Sequence, residues 1–203
     1  MTAKSLVFLS LVCSLFAGCA SQNGLFSSTT SLRQQYPNTI AYCQKWTALR
    51  HQFANGTKSL NTEDRADNLQ NSKWNDWLAQ QTLAIPQLHV DSRLTSLANE
   101  FVGLYRESAK LGRDLEELTE LELAYKEYSN SWTYFFRSAA KGFGGDILGG
   151  SDELDQKEAK INEKQAEYNR NIVSFNVRLN DSISRRNHLR DQLTHDYGEL
   201  ADL

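Results

Sequence analysis

No proline follows Pro86, and nothing else in the chain constrains its fold so strongly. Proline removes a backbone donor and clashes with the preceding turn. Residues 87–203 lack it and are rich in Glu, Lys, Leu, Asn, Gln and Ala, so they are free to run as helix. One interruption stands in the way. Trp132–Gly150 begins as an aromatic helix end and then becomes glycine, at 142, 144, 145, 149 and 150. Glycine adopts turn conformations at little steric cost, so this stretch predicts a bend between two long helices folded back on each other.

The apolar repeats on the two sides test that bend. Leu94, Leu97, Phe101, Leu104, Leu111, Leu115 and Leu118 step by threes and fours. So do Leu154, Ile161, Tyr168, Ile172, Phe175, Leu179, Leu189, Leu193 and Leu200. Folding about Gly145 sets Leu97 against Leu193, Phe101 against Leu189, Leu111 against Leu179, Leu115 against Phe175, Leu118 against Ile172 and Phe136 against Leu154. In that register Glu107 meets Arg185 and Asp114 meets Arg178, opposite signs in both cases. Polar layers interrupt the seam: Ser108 faces Ser182, Leu104 faces Arg186, and Tyr125 faces Gln165. Such layers weaken an isolated pair of helices, so further helices or a partner are expected to cover them. Ala98, Tyr105, Ile183 and Tyr197 form an apolar strip beside the seam where shorter helices can dock.

The preceding segment supplies those helices. Tyr36-Pro37-Asn38-Thr39 predicts a helix start, leading to Tyr42, Trp46, Leu49 and Phe53 on one face with Ile40 and Cys43 beside it. Asn55-Gly56 is a turn signal. Thr57–Ser72 is polar and predicts mostly loop. Trp74, Trp77 and Leu78 predict a short amphipathic helix that ends before Ile85-Pro86, and Asp91 is placed to cap the first long helix. The expected fold is all-α: a long antiparallel coiled-coil helical hairpin over 91–203 with its bend at 142–150. Shorter helices and loops of 38–90 pack at its base.

The amino terminus carries an address. Lys4 is followed by the apolar run Leu6, Val7, Phe8, Leu9, Leu11, Val12, Leu15 and Phe16, then by Ala17 and Gly18. Charge, apolar core and small residues in that order predict a secretory signal peptide over 1–18. Leu15-Phe16-Ala17-Gly18-Cys19 resembles a bacterial lipobox, with Phe16 where that pattern prefers Leu. The resemblance implies that Cys19 is lipid-modified through its thiol and becomes the first mature residue. With Ala20 rather than an aspartate next, it also implies sorting to the outer membrane, and the expected orientation is toward the periplasm. Residues 19–37, rich in Ser, Thr, Gln, Asn and Gly in their first part, then form a lipidated tether. Cys43 would be the one mature thiol left, which excludes a disulfide framework and suits a buried small apolar residue.

Catalytic patterns are missing. His188 and His195 flank Asp191 but are two turns apart, too far to share one ion without a third element, and Arg185, Arg186 and Arg190 around them repel cations. No metal and no cofactor are expected. Glu116-Glu117 and Glu120/Glu122 fit a solvated helix face better than an acid–base pair, which needs an enclosing pocket. The glycines lack the preceding strand and the Gly-Lys-Ser/Thr ending of a phosphate loop. With 22 Lys and Arg against 25 Asp and Glu, a formal net charge of -3, the chain has no concentrated phosphate-neutralising surface, which disfavours nucleic acid. The expectation is a protein that is not an enzyme.

The aromatic run remains. Trp132, Tyr134, Phe135 and Phe136 succeed one another at about 100° and cover more of the helix circumference than one partner helix can bury. Phe143, Ile147 and Leu148 add apolar groups within the glycine stretch. Three readings stay open: a tip folded over itself, a contact site for another envelope protein, or insertion into a membrane interface. Tyr134, Phe135, Phe143, Ile147 and Leu148 are the candidate contact residues. The sequence as a whole predicts an outer-membrane lipoprotein acting as a helical spacer or adaptor in a cell-envelope assembly. The alternative is a membrane-active hairpin whose tip enters a bilayer.

Overall fold

The structure, a computed structural model, describes residues 29–61, 64–139 and 149–198, with side chains for 32–61, 64–131 and 155–198. Five helices account for almost all of them: α1 Thr29–Gln35, α2 Thr39–Thr57, α3 Arg65–Ala84, α4 Ser92–Ala139 and α5 Gly149–Tyr197. The protein is all-α among the described residues, and α4 and α5 form the expected long antiparallel hairpin. At 48 and 49 residues, each is a rod on the order of 70 Å long.

The shorter helices build a bundle on the half of the hairpin farther from the bend. Trp46 of α2 meets Phe101 of α4 edge-on, with ring centroids 5.8 Å apart. Thr39 lies beside Asp91, so α2 runs in the same direction as α4. α3 returns antiparallel to α4, with Arg65 bonded to Glu116 and Glu120 and Asp76 bonded to Arg113 at 2.6 Å. The core gathers Tyr42, Trp46, Phe53, Leu78, Leu94, Phe101, Tyr105, Leu193 and Tyr197. The strip of Ala98, Tyr105 and Tyr197 is covered as expected, with Ile183 packed at its edge. The Cys43 thiol is buried among these residues.

α3 differs from expectation, and its buried face explains why. Asp64 caps it by accepting from the backbone N–H groups of Ala66 and Asp67. Its first two turns bury Asn68 and Ser72, with Asn75 following, instead of large apolar residues. These small polar groups lie against Gly112 of α4, where an added Cβ would fall inside the Ser72 hydroxyl. A helix seated through Asn, Ser and Gly has no apolar period to read, so 65–72 looked like loop. The stop is conventional: Ile85 turns extended ahead of Pro86.

Asn55-Gly56 is likewise no turn. α2 continues through it to Thr57, and Gly56 is required because the Trp74 indole occupies the place of a side chain. Gly56→Ala is therefore expected to lose roughly 1–2 kcal/mol. Alanine's helix propensity would return about 1 kcal/mol, but the displaced Trp74 ring outweighs it. Urea unfolding checks this; equal or greater stability would mean that the indole is not held there. α1 also lies within the segment expected to be tether. Leu32 and Tyr36 pack on the core, and Arg33 Nε donates to the Tyr197 carbonyl at 2.7 Å, which fixes this short helix to the end of α5.

The seam holds the expected faces in a different register. Arg178, not Arg185, donates to Glu107. The Tyr125 hydroxyl reaches Glu158 at 3.2 Å rather than Gln165. In both cases the partner lies seven residues nearer the bend than expected. A slip of seven returns every seam residue to the seam, so the apolar pattern fits both registers and cannot choose. The observed register joins Arg185 to Glu100 at 2.7 Å, Arg178 to Glu107 and Lys164 to Glu117, and sets the Lys157 ammonium 3.5 Å from the centroid of the Tyr128 ring.

Packing falls off toward the bend. No described side chain of α4 beyond Leu118, or of α5 before Tyr168, is buried. α3 begins level with Glu116 and Glu120, so past that point no third helix among the described residues accompanies α4 and α5. The molecule is a four-helix bundle from which a two-helix arm projects by about 30 Å.

Candidate functional site

The sequence-based candidates sit mostly outside what the structure describes. Cys19, Phe143, Ile147 and Leu148 lie outside the described residues. Tyr134 and Phe135 stand in the last turns of α4, with side chains outside the described ones. Phe136 and Leu154, expected to meet, are in the same position. Two polar clusters that sequence reasoning did not assemble are described in full, and both lie in the bundle.

The first closes the base. Asp91 ends the loop before α4, just after His89, whose backbone is left-handed at φ 56. Its backbone N–H donates to Thr39 Oγ1 at 2.9 Å. Its carboxylate accepts from the Arg93 N–H at 2.9 Å, from Arg93 Nη2 at 2.7 Å and from the Tyr197 hydroxyl at 2.9 Å. Arg93 also reaches Asp196 at 2.8 Å. Burial works against a charge on Asp91, yet the bonds from Arg93 and Tyr197 and the Arg93 charge outweigh it and hold the carboxyl below its usual range. The same arrangement, with burial first, pushes the Tyr197 phenol up to about 12. The cap expected at Asp91 is present, and it also ties α1, α2, α4 and α5 together where both ends of the folded chain meet.

The second cluster lies between α2, α4 and α5. Trp46 and Arg50 are one turn apart on the face of α2 that also carries Tyr42 and Phe53, and the Arg50 guanidinium stands 5.1 Å from the centroid of the Trp46 ring. Arg186 enters from the seam of α5 and Tyr105 from α4. All four are buried: Arg50 is 6% exposed, Arg186 3%, Tyr105 4% and Trp46 0%. Arg50 donates to Thr47 Oγ1 at 3.1 Å, and Arg186 to Asn187 Oδ1 at 3.2 Å. Burial first, then the like charge of Arg50 and a smaller contribution from Arg190, with Tyr105 opposing them, bring the Arg186 guanidinium down to about 10. Burial raises the Tyr105 phenol to about 12, so its hydroxyl is protonated at neutral pH. The Trp46 indole N–H lies close enough to the Tyr105 hydroxyl to oppose, as a hydrogen-bond donor, part of the rise that burial causes. The sequence carried a signal for this site: an arginine between Trp46 and Phe53 on an apolar face, and a second arginine at a seam position.

His188 and His195 have separate partners. His188 lies against Gln192 at 3.1 Å and His195 against Asp196 at 3.3 Å, both on exposed turns of α5. No grouping of three or more His, Cys, Asp or Glu among the described residues could hold a metal ion. No described helix is long and apolar enough to cross a membrane. No protein-family model, curated protein or solved structure gives a significant match to this chain.

Proposed function

We propose that this chain is a lipid-anchored outer-membrane lipoprotein, not an enzyme, that acts as a helical spacer or adaptor in a cell-envelope assembly. It is anchored at Cys19, faces the periplasm, and contacts another envelope protein through the bend and its aromatic residues. The observation that carries this reading is the polarity of the molecule. α1, the first described element after Cys19, is bonded to the last turn of α5 at the base, whereas the unaccompanied arm points the other way. Anchor and contact surface would then stand at opposite ends of a rod about 70 Å long. The nine residues from Ala20 to Ser28 span at most about 32 Å, so the base would stay close to the bilayer.

Two measurements test the proposal at its two ends. Cys19→Ser is expected to abolish incorporation of radiolabelled fatty acid and to move the protein out of the outer-membrane fraction. Unchanged labelling and fractionation would sink the anchor. A photo-crosslinking residue at Phe143 is expected to capture one envelope protein in cells, whereas the same residue at the exposed Val177 is not. Crosslinks to lipid alone at Phe143, with dye leakage from liposomes exposed to the protein, would instead support the membrane-active hairpin.

A further inference from the structure

We propose that the loop joining α3 to α4 is a membrane-contact surface that seats the base of the bundle on a lipid headgroup layer through Leu88 and Leu83, an inference that rests on the lipid-anchored reading above. Leu88 is 71% exposed, more than any other large apolar side chain described, and Leu83 in the last turn of α3 is 43% exposed. Ala84 and Pro86 between them are exposed as well. Residues 77–90 carry no Asp, Glu, Lys or Arg, the longest such run among the described residues. The backbone that presents Leu88 is pinned. Asn38 Nδ2 donates to the Leu88 carbonyl at 2.7 Å, and the Asn38 backbone N–H donates to the His89 carbonyl at 3.2 Å. His89 takes the left-handed conformation, φ 56, which a residue with a side chain adopts only at a cost in free energy.

The tether decides what covers this loop. Asn38 follows directly on α1 and makes both of those bonds, so Thr29, where α1 begins, lies no more than about 20 Å along the chain from the loop. Residues 20–28 add at most about 32 Å between Thr29 and the acylated Cys19. A bilayer that holds the acyl chains is therefore always within reach of Leu88, at an effective concentration that a free protein partner does not match. Charge agrees with a lipid surface. Arg93 engages both acids of the cluster that closes the base, Asp91 and Asp196, while the exposed Arg33 bonds the Tyr197 carbonyl, which carries no formal charge. The base therefore offers an arginine to anionic headgroups. Two leucines do not hold a protein on a membrane unaided, but beside a lipid anchor they supply a second contact. A single flexible tether fixes distance without direction, whereas tether and loop together turn the arm away from the bilayer.

The test uses the full lipidated chain in vesicles of phosphatidylethanolamine and phosphatidylglycerol, in a Cys43→Ser background. An environment-sensitive fluorophore is attached at Leu88→Cys or, about 30 Å farther from the base on α5, at Val177→Cys. Lipid carrying a shallow nitroxide is expected to quench the label at 88 at least about threefold more than the label at 177. With the label at Leu83→Cys instead, adding Leu88→Asp should cut quenching about twofold, because a carboxylate resists entry into the interface. All these side chains are exposed, so the substitutions put little of the fold at risk. Equal, weak quenching at 88 and 177 in a chain that floats with the vesicles overturns the contact and leaves the anchor standing. A parent chain that carries no acyl group by mass and does not float overturns the anchor and this inference with it. In cells, a photo-crosslinking residue at Leu88 should give lipid adducts; adducts to a protein in their place would make the loop a protein-docking surface and overturn the membrane contact.

Discussion

Cysteines placed at Leu104 and Leu179 in a Cys43→Ser chain are expected to be joined within one molecule, and in high yield, by a one-carbon bifunctional thiol reagent. A pair at Leu111 and Leu179 should give little product. The contacts of Glu107 with Arg178 and of Tyr125 with Glu158 set the register of α4 on α5, and that register brings Leu104 level with Leu179. A slip of seven residues displaces one helix along the other by about 10 Å, beyond the reach of so short a bridge. Peptide mapping of the crosslinked chain reads the result. Efficient joining of 111 to 179 and none of 104 to 179 would restore the register centred on Gly145, while products only between chains would mean that the two helices pair in different molecules.

Trp46→Ala is expected to destabilise the bundle by about 3–5 kcal/mol, the range for truncating a large buried aromatic. Trp46 has no exposure, packs edge-on to Phe101 and lies under the Arg50 guanidinium. Its loss leaves a cavity between the Phe101 ring and the Arg50 guanidinium. Urea unfolding followed by circular dichroism should show a large fall in the midpoint. Val177→Ala, at a side chain 65% exposed, should stay within about 0.5 kcal/mol of the parent. A small effect at Trp46 would mean that α2 does not dock through that ring.

These two experiments mark the boundary of what the sequence made legible. The long helices and their faces were readable because Leu94 to Leu118 and Ile161 to Leu193 repeat in a way that only a helix buries on one side. The docking strip at Ala98, Tyr105 and Tyr197 was readable as apolar surface that the seam left over. Register was not, because a heptad repeat looks the same after a slip of one heptad, and Arg178 and Arg185 find acidic partners in both registers. α3 was hidden because its interface is made of Asn68, Ser72 and Asn75 against Gly112, where close approach of small groups replaces apolar area. Gly56 was misleading for a related reason: the same residue serves a turn or a close contact, and the Trp74 ring that decides between them lies on another helix.

The candidate sites divide in the same way. Cys19 and the aromatic bend were legible as local strings, one matching a pattern of charge, apolar run and small residues, the other exceeding what a single partner helix can cover. The arginine cluster was legible only in fragments. Arg186 was read as a charge in the seam opposite Leu104, whereas Arg50 was not singled out, and how α2 lies across α4 and α5 is encoded by no local pattern. The base cluster adds a similar case. Asp91 was readable as a cap, whereas its bonds to Tyr197 and, through Arg93, to Asp196 join residues from opposite ends of the fold.

The attachment of α1 to the last turn of α5 also has a mechanical meaning. A pull between the amino-terminal segment and the bend-ward ends of α4 and α5 runs along the helix axes. It loads α2, α3 and α4 in shear, so side chains along the whole bundle must slide past one another together instead of separating one at a time as in a zipper. Arg33 and Leu32 are the first holds under tension, and their release would lengthen the connection while the bundle stays folded. Resistance of this kind is set by the rate of unfolding rather than by equilibrium stability. The molecule is thus built to yield first at a short helix of seven residues and only afterwards in its core.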